Sequence, residues 1–139
     1  MTGLEAVTAV AVYLDQKKTD IFGEGGGRIF KYEKKKGYEG DYIAVNNLPF
    51  PHRHVSQTST VNVNIHVPDL TTEEPNTKRL TEIARQVISL FDYTDGINLS
   101  GAWFKFFSDS RPTPDRDGTS YVNIELDCTY EDFKKVTTN

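Results

Sequence analysis

Four apolar residues spaced by two, Val61, Val63, Ile65 and Val67, alternate with Asn62, Asn64 and His66. Side chains on a strand point to opposite faces in turn, so this run reads as a strand with one apolar and one polar face. Pro68 and Asp69 stop it. The period then changes. Leu80, Ile83, Ala84, Val87 and Phe91 recur at helical spacing and predict a helix over about Lys78 to Phe91 with one apolar stripe. A one-faced strand and a one-striped helix each need a partner. The expected core is a sheet with this helix laid on it.

The other segments fit the same frame. Leu4, Val7, Ala11 and Leu14 predict a first helix from Gly3 to about Lys18, with Thr2 and Glu5 at capping-box spacing. Arg28 to Tyr32 and Asp41 to Leu48 read as short strands, and Ala102 to Ser108 as an aromatic one. Tyr121 to Tyr130 alternates most regularly of all. Gly23 to Gly27 is a turn. Leu48 to Thr60, with Pro49, Pro51, His52, Arg53 and His54, reads as a long polar arm joining antiparallel strands. The tail from Glu131 is expected to be loose. The fold class is α+β: an antiparallel or mixed sheet of about four or five strands, with two helices packed on one face. The 139 residues suit a single domain, 1–139.

Composition narrows the function classes. The net charge of −4 argues against a chain that grips DNA or an anionic membrane along its whole surface. Cys128 is the only cysteine, which excludes an internal disulfide. No apolar run approaches the ~20 residues that span a bilayer. The amphipathic start, without a basic region before it, does not read as a secretory leader. A soluble protein is expected.

Few residues suggest chemistry. His52, His54 and His66 are the candidate metal ligands, but no carboxylate or cysteine completes a set at a known spacing, and polar loop and sheet-face roles are favoured. The glycines at 23–27 follow a helix and lead to a strand, the reverse of a phosphate loop. Lys34, Lys35 and Lys36 form a basic loop offset by Glu33 and Glu39, open to a partner or simply solvated. Cys128 shares the phase of Val122, Ile124 and Leu126 and reads as a core residue. No cofactor, metal site or enzyme activity is expected. The outward row Asn62, Asn64 and His66 has no folding role in the pattern. With the arm and the two-sided aromatic strand at Trp103, it is the expected contact surface.

The layout resembles the tail terminator and tail-completion proteins of long-tailed bacteriophages. The matching pieces are Leu4 to Leu14, Gly27-Arg28-Ile29-Phe30, Asp41 to Val45, Val61 to Val67, Lys78 to Phe91 and Tyr121 to Tyr130. The resemblance implies a virion structural protein. It would form a ring, commonly a hexamer, on the tail tube, end tube polymerisation and offer a docking surface to the head-completion or neck protein. DNA would pass through without specific binding. The chain would reside at the head-proximal end of the tail after assembly in the host cytoplasm. The alternatives are a head-closure or neck connector and a small non-viral protein-binding module. The arm at Leu48 to Thr60 matches no family feature.

Overall fold

The computed structural model describes residues 1–51, 57–71, 74–115 and 118–131. Among them are three α-helices, one 3-10 turn and seven strands. Helix α1 (Gly3–Gln16) opens with the expected capping box: Thr2 accepts from the Glu5 amide, and the Glu5 carboxylate accepts from the Thr2 amide. It ends two residues before the expected Lys18. The chain bends at Lys17 and restarts as α2 (Lys18–Phe22), which buries Ile21 and Phe22. Gly23–Gly25 then makes the 3-10 turn. Helix α3 (Thr77–Phe91) begins one residue before the expected Lys78, capped by Asn76, and buries the stripe Leu80, Ile83, Ala84, Val87 and Phe91.

The strands are β1 (Arg28–Lys31), β2 (Tyr42–Asn47), β3 (Gln57–Pro68), β4 (Ile97–Leu99), β5 (Ala102–Asp109), β6 (Thr113–Pro114) and β7 (Thr119–Tyr130). They form one sheet in the order β1-β2-β3-β7-β5-β4, with β6 also paired to β7. Only β1–β2 is parallel, so the sheet is mixed. Seven strands exceed the expected four or five. The surplus is β4 and β6, too short to show a period of two in sequence.

The long strands β3 and β7 pair along their whole length, from Gln57 opposite Tyr130 to Pro68 opposite Thr119. Val61, Val63 and Ile65 face Leu126, Ile124 and Val122, all but fully buried under α1 and α3. Both long helices therefore lie on one face of the sheet, as expected. Helix α1 touches β1 and β2 at one border and β4 at the other, so the sheet curls around it.

Strand β3 starts four residues before the expected Val61, which shortens the proposed arm. Gln57 and Ser59 are polar yet buried in phase with the valines. Ser59 earns its place by donating its hydroxyl to the Pro49 carbonyl. The Tyr130 hydroxyl likewise bonds the Pro51 carbonyl, and Phe50 stacks on the Tyr130 ring at 5.1 Å. The chain leaving β2 is thus pinned to the far end of the β3–β7 ribbon. The centre of the proposed arm, residues 52–56, lies outside the described residues, as does the proposed loose tail beyond Glu131.

Candidate functional site

The outer face of the sheet carries most of the singled-out residues. Asn62 donates its amide to Asn46 Oδ1 at 2.9 Å, and Asn123 donates to Asn64 at 2.8 Å and to Asn62 at 3.3 Å. Three strands are joined by these side-chain bonds. The expectation that Asn62 and Asn64 have no folding role is therefore corrected: a half-buried amide needs a partner, and these supply one another.

His66 is corrected in the same way. Its ring lies flat between Tyr42, at 4.4 Å and 5°, and Tyr121, at 5.2 Å. Nδ1 is buried and sits 3.3 Å from Asp115 Oδ2, near enough for charge attraction but outside hydrogen-bonding geometry. Burial lowers the His66 pKa. Asp115 pulls it up in part, and Lys34 adds to the lowering. A neutral imidazole wedged between two phenols is a packing element.

The basic loop divides. Lys34 is half-buried, donates to the Tyr38 carbonyl at 3.0 Å and lies 5.9 Å from the Tyr42 ring centre. It is a structural residue, whereas Lys35 and Lys36 are exposed. Arg28 reaches across the Tyr38 ring at 5.5 Å. Beside this loop, a cleft of about 500 Å³ runs between Tyr38, Tyr42, Pro68 and Thr119. Trp103 stays 46% exposed on the outer face, and Phe107 is 63% exposed at a bulge between Phe106 and Ser108. Phe107 shares the outward phase of Trp103 and Lys105, and the bulge moves Ser108 into register with Glu125.

No family model matches the chain, and no curated protein matches it. The site must be read from its own geometry. Among the described residues no three His, Cys, Asp or Glu side chains converge to hold a metal ion. His52, Arg53 and His54 lie outside the described residues. Cys128 is buried, and its thiol is pushed up to about 12 by burial, so it has no thiolate to offer as a nucleophile. No helix among the described residues is long and apolar enough to cross a membrane.

Two features escaped the sequence reading. Arg79 leaves the first turn of α3 to bond Asp41 Oδ2 through Nε and the Phe22 carbonyl through Nη2, each at 2.7 Å. It ties α3 to the end of α2 and to the start of β2. Its only signal was a cation four residues before Ile83, on the stripe side of the helix. The second is a cleft of about 620 Å³ on the outer side of α1, lined by Leu4, Glu5, Ala9, Val12 and Tyr13 and walled by Asn98 and Leu99 of β4. Leu4 and Val12 are more than half exposed there. Leu4 belongs to the repeat that gave the first helix, yet the buried set is Ala6, Val7, Val10, Ala11 and Leu14.

Proposed function

We propose that this chain is a structural protein of a phage virion that closes the tail. Copies assemble as a ring, a hexamer in this reading, on the last ring of the tail tube. The ring ends tube polymerisation and receives the head-completion or neck protein. The proposal rests on layout: helix, short strand, basic loop, strand, pinned connection, long strand, helix, long strand. The observation that carries it is the outer face of the β3–β7 ribbon. It is polar, internally bonded and covered by no helix of the described chain, while the main hydrophobic cluster lies on the opposite face and Tyr42 and Ala44 of β2 are buried beside it on this one.

Such a face suits a channel wall or a broad protein contact better than a reaction centre. Glu125 and Asp127, with Lys105 of β5 opposite Asp127, give DNA no run of positive charge to grip, so DNA would slide past without specific binding. No cofactor is needed for this role. The place of action is the head-proximal end of the tail, after assembly in the host cytoplasm.

The test is to mix the purified protein with uncapped tail tubes and image them by negative stain. One annular cap per tube, at one end only, is the expected result. No annular form in any condition, together with bare tube ends, would overturn the reading. Binding to portal particles in place of tubes would move the protein to the neck.

A further inference from the structure

Among the described residues the sheet is open, and its two borders differ in character. At one border β4 and β5 are joined by the two-residue turn Ser100-Gly101, both at positive φ. In such a hairpin the flanking pair, Leu99 and Ala102, exchanges the backbone bonds, and the next pair does not. Asn98 therefore turns its N–H and C=O away from β5, toward the unpaired side. The cleft on α1 lies alongside, and its lining holds both the Glu5 carboxylate and the Met1 ammonium, so the acidity of this border comes from the turn beside it. The turn leading into β4 adds Asp92 and Asp95, both exposed, and the stretch Asp92 to Gly101 has no basic residue. This border is apolar, acidic and open to an added strand.

The opposite border is its complement. Among the described residues, strand β1 has a partner on one side only. From Arg28 to Gly40 the chain carries five basic and two acidic side chains. Arg28 and Lys31 are on the strand, and Lys35 and Lys36 are exposed beyond it. We propose that the acidic β4–α1 border of one copy takes the basic β1 border of a second copy. The contact is heterologous, so it propagates head to tail and closes as a ring when the rotation between copies allows. It names the self-contact of the ring proposed above and rests on that reading for its setting.

Two charge-reversed proteins test it: Asp92→Lys with Asp95→Lys, and Lys35→Glu with Lys36→Glu. All four positions are exposed. Sedimentation of wild type at low salt should show species larger than the monomer. Each reversal alone, carrying two borders of like charge, should weaken self-association at least about tenfold. An equimolar mixture should restore it, because each protein then meets a complementary border. A second arm mixes Asn98→Cys with Arg28→Cys, Cys128 being buried, and expects a cross-linked pair only between the two preparations. The inference is overturned by a wild type that is monomeric up to millimolar protein, by reversals without effect, by a mixture no better than its parts, or by like-with-like cross-links. The tube assay separates the two readings. Tubes capped by a protein that fails these tests keep the function and lose the contact. A ring that forms through these borders and ignores tubes does the reverse.

Discussion

Replacing Arg79 by methionine keeps the bulk of the side chain and removes its charge and its two 2.7 Å bonds, to Asp41 Oδ2 and to the Phe22 carbonyl. The Arg79 and Asp41 side chains are 22% and 18% exposed, so water screens them only partly. Breaking one member of a buried pair costs about 3–5 kcal/mol, mostly because the remaining charge is stranded. Residual exposure places Arg79→Met at the low end, about 3 kcal/mol. For a chain of this length that is a fall in Tm of about 10 °C. Asp41→Asn keeps an acceptor for Nε and should cost less, about 1–2 kcal/mol. Because the two residues share one bond, the double variant should be more stable than the sum of the singles implies, by about 1–2 kcal/mol. Urea unfolding of all four proteins of this cycle, at matched slope, measures these quantities. An Arg79→Met midpoint equal to wild type, or strict additivity in the double variant, would refute the idea that this arginine ties α3 to α2 and β2.

Three further outcomes are expected. The lowered His66 pKa means that the unfolded chain takes up this proton more readily than the folded one, so stability should fall as pH drops through the ordinary histidine value of about 6.5 and level off below the folded value. Urea midpoints between about pH 8 and pH 5 should lose that component in His66→Phe. Ile83→Ala, at a fully buried position on the α3 stripe, should cost about 2–5 kcal/mol in the same assay. Cys128 should resist a thiol reagent in the native protein and react at the rate of global unfolding, and fast labelling without denaturant would contradict its burial.

The helix-facing side of the sheet was legible because period and burial coincide there. Every second residue from Val61 to Val67 and from Val122 to Tyr130 is apolar, and the α3 stripe repeats at helical spacing. The boundaries failed where polar residues take core positions. Gln57 and Ser59 look like loop, but both pair with β7, opposite Tyr130 and Cys128, and the carbonyl of Pro49, ten residues away, accepts from the buried Ser59 hydroxyl. Strands β4 and β6 and helix α2 are too short for a period to emerge. The outer face was misread for another reason. His66 is held by tyrosines from two different strands, and Arg79 meets Asp41 across 38 residues. A single sequence carries no mark of such meetings, since they depend on which strands become neighbours.

The asparagine bonds across β2, β3 and β7 have a consequence for how the ribbon finds its alignment. Val61, Val63, Ile65 and Val67 are close in size and shape, so sliding β3 by two residues against β7 would still put branched apolar groups under the helices. The buried side is nearly blind to that error. The polar side is not. The same slide would replace Asn123 as the residue opposite Asn64, so that their 2.8 Å bond must be remade elsewhere, and would take His66 away from Tyr121. Replacing these asparagines by threonine would therefore leave a chain that still collapses, but with more than one way of threading its longest pair of strands.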